Sequence, residues 1–215
     1  MKNINFNKMK PKTILITAGP TKEYIDPVRF ISNDSSGKMG YLLAEESKKN
    51  GAKVILISGP TAIKPPKGVA VVNVVSAEQM FVQVKKYFGK CDVFISCAAV
   101  GDYKAEKFSE NKIKKTGNSI NLKLVPNPDI LFEISKINGQ KILVGFALET
   151  DGLVKNAQRK LKEKKLDIII ANNVDSMNSD KTTGAIITKN EIEKFRNISK
   201  KLLAEKITKK YYDLF

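Results

Sequence analysis

Six short apolar runs punctuate the chain: 13–17 (TILIT), 53–58 (KVILIS), 69–75 (VAVVNVV), 92–97 (DVFISC), 142–147 (ILVGFA) and 167–171 (DIIIA). Each is too short for a buried helix and rich in Val and Ile, which predicts strands covered on both faces. Between them the apolar positions recur at helical spacing. A helix is predicted over 38–50, stopping at Gly51, and another over 77–88, with Met80, Phe81, Val84 and Phe88 on one face. A third is predicted over 151–165, and a tail helix over 198–213 carries Ile198, Leu202 and Leu203. Strands alternating with helices predict an α/β, Rossmann-like fold: a mostly parallel sheet with helices on both faces. Alternation at Ile120, Leu122 and Leu124 predicts an edge strand, and 183–188 with 191–195 a late hairpin, together a small antiparallel extension. Residues 101–117 (GDYKAEKFSENKIKKTG) have no periodicity and read as a long functional loop. Residues 1–12 form an N-terminal extension, and 13–215 read as one domain with a mobile lid at 103–117.

Length and composition narrow the function classes. A chain of 215 residues with 42% apolar content buries a core without staples. No run approaches the ~18 apolar residues of a membrane span, and the basic N-terminus has no apolar core of a secretory signal. Two cysteines, Cys91 and Cys97, with no histidine argue against a zinc site or a disulfide framework and point to a cytoplasmic setting. The net charge of +16 invites a nucleic-acid partner, yet only Arg29, Arg159 and Arg196 are arginines and no aromatic motif interleaves with the lysines. We expect small polyanionic substrates rather than nucleic acid, and no membrane.

The densest chemistry follows the strands, where an open parallel sheet binds its ligands. After the first strand come Asp26–Gly40 (DPVRFISNDSSGKMG), where Ser35, Ser36 and Gly37 make a turn that opens a helix, with Arg29, Asn33 and Lys38 nearby. Such a turn lets backbone N–H groups face phosphate oxygens; alternatively it is an ordinary capped helix. After later strands come Ala98–Tyr103 (AAVGDY), Pro126–Asp129 (PNPD), Phe146–Thr150 (FALET) and Asn172-Asn173. Two other patterns carry less. Tyr103 and Lys107 fit the Y-x-x-x-K pair of NAD(P)-binding short-chain dehydrogenases, but in an aperiodic loop, and the glycine fingerprint is missing from AGPTKEY. Gly37-Lys38 is followed by Met39, so it is not a Walker A loop.

The strings ITAGPTKEYIDPVRFISNDSSGKMG, SCAAVGDYKAE, KIKK, PNPDIL, GFALET and DIIIANNV, in this order from Thr13 to Val174, resemble those of phosphopantothenate–cysteine ligases, the phosphopantothenoylcysteine synthetases of coenzyme A biosynthesis. No decarboxylase segment accompanies them, so the expected form is a stand-alone bacterial one or an excised domain. The resemblance implies a ligase that activates 4′-phosphopantothenate with CTP and Mg²⁺ as an acyl-cytidylate, then joins it to L-cysteine. It implies Asn33 and Lys112 as catalytic residues and Asp102 beside the nucleotide and metal. It places Ser96, Cys97, Ala98, Pro128, Asp129, Ile130, Leu131, Phe146, Lys160 and Lys164 around the nucleotide. Arg29, Asn33 and Ala99 are expected at the acid substrate, and a homodimer with shared sites is expected.

Overall fold

The computed structural model describes residues 11–174 and 179–215; most of the expected N-terminal extension lies outside the described residues. In chain order the elements are β1 (Thr13–Ala18), β2 (Lys22–Tyr24), β3 (Phe30–Ser32), α1 (Lys38–Lys49), β4 (Lys53–Ser58), β5 (Ala70–Asn73), α2 (Ala77–Phe88), β6 (Val93–Ser96), β7 (Tyr103–Ala105), β8 (Leu124–Pro126), α3 (Ile130–Ser135), β9 (Ile142–Glu149), α4 (Leu153–Glu163), β10 (Ile168–Asn173), β11 (Lys181–Thr188), β12 (Ile192–Ser199) and α5 (Lys200–Tyr212). The main sheet has the order β12-β11-β10-β9-β6-β1-β4-β5. All six predicted apolar runs are its parallel strands, and β11 and β12 extend it antiparallel. The strand order reverses between β1 and β6, which opens a crevice at their carboxyl ends.

Each central strand feeds two cores. Ile14 and Ile16 face α1 and α5, where they meet Leu43, Ala44, Leu203 and Ile207. Leu15, one residue out of phase, faces Met80 and Val84 of α2, Ile134 of α3 and Leu161 of α4. Burying each such side chain stabilises the fold by roughly 1.5–3 kcal/mol, so a one-residue slip of register would be heavily disfavoured. Gly40 lets α1 lie directly on β1, since a Cβ there would stand 2.5 Å from the Ala18 Cβ. The start of α1 is thereby pressed against the mouth of the crevice.

Three expectations change. The tail helix begins at Lys200, because Ile198 belongs to β12 and pairs with Thr182. The edge strand expected over Ile120–Leu124 forms only from Leu124, which pairs with Ala105 in the separate β7–β8 arm; Ile120 and Leu122 are exposed. The third helix runs over 153–163, shorter than expected, because Gly152 takes a left-handed turn at its start. The hairpin β2–β3, the arm β7–β8 and the six-residue helix α3 add elements too short to show a period.

Candidate active site

Loops from β1 and β6 are stitched together at the switch point. The Thr17 hydroxyl accepts from the backbone N–H groups of Cys97 (3.2 Å) and Ala98 (3.3 Å). Ala99 N–H donates to the Gly19 carbonyl (2.9 Å), and Gly101 N–H to the Thr21 hydroxyl (2.9 Å). Asn33, just past β3, completes the seam: its amide nitrogen donates to the carbonyls of Ala99 (3.2 Å) and Val100 (3.0 Å). Carbonyls only accept, so this fixes which way the amide points. Both donors of Asn33 are thus directed into the protein, leaving its oxygen as the acceptor.

Two cavities open at this rim, one on each side of a wall made by Ala98 and Phe146. The first, about 210 Å³, is lined by Ser35, Ser36, Gly37, Cys97, Ala98, Ala99 and Phe146, together with Lys38, Asn172 and Lys200. Gly37 holds a left-handed conformation (φ 78°) where a Cβ would stand 3.0 Å from the Gly19 Cα, and no side chain caps α1. The hydroxyls of Ser35 and Ser36 make only long contacts, with the N–H groups of Gly37 (3.3 Å) and Lys38 (3.4 Å). The helix start therefore keeps donors for a ligand. The Lys38 ammonium pairs with Asp180 at 2.5 Å. Burial, then the nearby Lys38 charge, pulls Lys200 below the usual lysine range.

The second cavity, about 430 Å³, is lined by Ser96, Ala98, Asp102, Pro128, Asp129, Ile130, Leu131, Phe146, Lys160 and Lys164. Its cations are already matched. Lys160 pairs with Glu149 (2.7 Å) and Lys164 with Asp129 (2.6 Å), while Asp129 also caps α3 at the Phe132 N–H (3.0 Å). Asp102 is exposed in this lining and takes part in no ion pair among the described residues. Asn172, in the lining of the first cavity, and Asn127, in that of the second, each have a buried amide oxygen without a hydrogen-bond partner among the described residues. Such orphan acceptors are costly unless a ligand or water donates to them.

The expected nucleotide residues other than Lys112 are thus divided between two adjoining cavities. Arg29, Asn33 and Lys112 line neither. Arg29 instead pairs with the buried Asp26 (3.4 Å) and donates to the Ile113 carbonyl, and Lys112 is exposed on the loop beside it. Tyr103 opens β7 and Lys107 follows it in a bend, so the dehydrogenase-like pair does not share a helix face. Among the described residues no cluster of three His, Cys, Asp or Glu side chains could by itself hold a metal ion. No described helix is long and apolar enough to cross a membrane.

Residues 9–214 match the family model for the DNA/pantothenate metabolism flavoprotein C-terminal domain. The chain belongs to this family. It is 44% identical over 195 residues to the coenzyme A biosynthesis bifunctional protein CoaBC of Haemophilus influenzae, covering 89% of this chain and 49% of that protein. The chain spans about half the length of the curated relatives it matches. The crystal structure of a CoaBC C-terminal domain superposes with a TM-score of 0.84 at 37% identity, covering 96% of each chain. A Cab2 variant solved with phosphopantothenate-cysteine has the same fold, with a TM-score of 0.80 at 17% identity over 94% of this chain and 87% of that one.

Motif reading included Asn127 and Asn172 among the rim loops but missed Lys200. Lys200 did leave a signal. Lysines at the first turn of a helix oppose its dipole, and Ser199-Lys200-Lys201 places two of them there behind a Ser cap.

Proposed function

We propose that this chain is the ligase domain that joins 4′-phosphopantothenate to L-cysteine, activating the acid with CTP. The observation that carries the reading is the pair of cavities joined at Ala98 and Phe146, with the Asn33 amide anchored beside the join. A nucleotide that activates an acid needs room for its triphosphate beside room for its base, with the reacting centre near where the two meet. The CoaBC relatives support coenzyme A biosynthesis as the setting.

In the first step a carboxylate oxygen of phosphopantothenate attacks the α-phosphorus of CTP, and pyrophosphate leaves. The uncapped start of α1, Ser35, Ser36, Lys38 and Lys200 suit the triphosphate oxygens, because fixed donors and cations reduce repulsion between the two anions. Lys112 is assigned to the transferring phosphoryl group. Mg²⁺ would neutralise phosphate charge, and Asp102 is the residue suited to hold it; Mg²⁺ needs one or two carboxylates when phosphates and water complete its shell. In the second step the cysteine nitrogen attacks the acyl carbon, CMP leaves, and the amine loses a proton to solvent. The free acceptor of Asn33 suits that incoming amine, whose N–H bonds must be oriented for attack.

The ring of the base is assigned to the second cavity, against Phe146 and the Pro128–Leu131 turn. A homodimer is part of the reading. Val28 and Phe30 of the β2–β3 hairpin, with Phe108 and Leu124 near the β7–β8 arm, leave apolar surface exposed, of the kind that marks an interface. A cytoplasmic setting fits the two free thiols.

The deciding experiment measures pyrophosphate released from CTP and phosphopantothenate with Mg²⁺, with cysteine added or withheld. Release that depends on the acid, and amide product that appears only with cysteine, is the expected result. No release with either CTP or ATP would refute the reading.

A further inference from the structure

One fully buried carboxylate outside both cavities has an unusual set of partners. Asp26 is 0% exposed. Its Oδ1 accepts from the N–H groups of Val28 and Arg29, both at 2.8 Å, which closes a local turn. Its Oδ2 accepts from the N–H of Ile113 at 3.1 Å, 87 positions further along the chain. Arg29 leans back on the same carboxylate at 3.4 Å and donates to the Ile113 carbonyl. The two side chains therefore grip Ile113 by its N–H and its C=O at once. Ser109 N–H, four residues earlier, donates to the Ile25 carbonyl at 2.9 Å.

The gripped N–H belongs to the peptide bond that joins Lys112 to Ile113. Around it the loop carries Lys107, Lys112, Lys114 and Lys115, which repel one another. No strand or helix holds residues 106–123. A local turn would be complete with Val28 and Arg29 alone. The contact to Ile113 adds nothing to that turn and acts only on the position of the distant segment. Desolvation works to raise the pKa of Asp26, but the N–H groups of Val28, Arg29 and Ile113 and the Arg29 charge hold it below the ordinary carboxylate range. The grip is therefore present at neutral pH.

We propose that Asp26, acting with Arg29, is a positioning residue that fixes the Lys112–Ile113 peptide and so sets where the Lys112 ammonium meets the nucleotide. This rests on the reading of Lys112 as the group that contacts the transferring phosphoryl. It gives Arg29 a role within its own chain as the second half of a clamp.

The test is a double-mutant cycle on pyrophosphate release. In Asp26→Asn the side-chain oxygen still accepts from Val28 and Arg29, but an amide N–H turns toward the Ile113 N–H and the guanidinium. Donor meets donor, and the grip opens. The expected result is a folded protein whose kcat for pyrophosphate release falls about 10-fold while the KM for CTP changes less than about 3-fold, the pattern of a lost transition-state contact. Amide exchange at Ile113 should quicken by about 10-fold or more. Lys112→Gln should lose more, and Asp26→Asn in that background should cost nothing further, since groups acting through one another are not additive. Arg29→Gln, which leaves the Asp26 turn intact, should show the same non-additivity and serves if Asp26→Asn does not fold. Full additivity, or Asp26→Asn at the wild-type kcat, overturns the proposal while leaving the ligase reading in place. A wild-type protein that releases no pyrophosphate overturns both.

Discussion

The two cavities touch at Ala98 and Phe146 yet follow opposite electrostatic plans. The first receives the N-terminal ends of α1 and α5, and neither helix has an acidic residue in its first turn. Lys38 and Lys200 stand there instead, adding positive charge to the positive ends of two dipoles. Of the other helices, α2 and α3 carry Glu78 and Glu133 in their first turns, while α4 has no acidic residue there. In the second cavity each lysine has its own carboxylate, Glu149 for Lys160 and Asp129 for Lys164. A pocket where two helix N-termini meet two lysines suits an anionic ligand. One whose lysines are already matched suits a neutral ring and the polar atoms that orient it. The carboxylates near the first pocket, Asp34 in its lining and Asp180 on Lys38, temper its field until a stronger anion competes.

The largest expected effect lies at the join. Asn33→Ala should release pyrophosphate at close to the wild-type rate but form amide about 10²-fold more slowly, within the range for lost transition-state contacts. Following pyrophosphate and amide separately decides it, and an equal loss in both steps would mean that Asn33 does not divide the half-reactions. Next in size are the lysines. Lys200→Met should weaken CTP and inorganic tripolyphosphate alike by about 10-fold, as expected for one charge-assisted hydrogen bond. Lys160→Met should weaken tripolyphosphate far less, because its charge is held by Glu149. Calorimetric titration with both ligands measures the contrast, and equal losses in the two variants would erase the distinction between cavities.

A pH titration sharpens the same point. Lys200 titrates below the lysine value of 10.5 because burial and Lys38 disfavour its charged form. Bound polyanion favours that form and raises the pKa, so affinity should be full at neutral pH and fall as pH rises through the lowered value. In Lys200→Met this alkaline limb should shrink. The smallest effect expected is nucleotide choice. CTP should exceed ATP in kcat/KM by about 10-fold, within what one pocket contact discriminates. Equal values would remove the second cavity as a reader of the base.

Most of the fold was legible because continuous Val/Ile runs and i, i+4 spacing are strong signals, and six parallel strands with helices between them leave little freedom of topology. The elements that were not legible, β2–β3, β7–β8 and α3, are each held by long-range contacts, such as the Glu23 carboxylate accepting from the Ala77 N–H at 2.9 Å. For the site, motif reading gathered residues that the fold brings to one rim but merged two pockets into one, since spacing along a chain does not say on which side of Phe146 a residue falls. Arg29 is the clearest case. A lone arginine beside a phosphate-like turn reads as a ligand contact, whereas its partner within the chain, Ile113, lies 84 positions away. Nothing local in the sequence announces that contact.

The thiols lead to a question of chemical selectivity. Burial pushes both Cys91 and Cys97 up to about 12, and Cys97 remains there despite the attraction of Lys200. At pH 7 the thiolate fraction of such a group is about 10⁻⁵. A protein proposed to handle free cysteine meets a soluble thiol at every turnover, and any cystine formed from it is an oxidant for exposed thiolates. With Cys97 in the lining of the first cavity, a sulfur of ordinary acidity would invite mixed disulfides with the substrate's own oxidised form. A sulfur held protonated exchanges slowly, so the native protein should react with a thiol-reactive dye more slowly at both cysteines than the unfolded chain does.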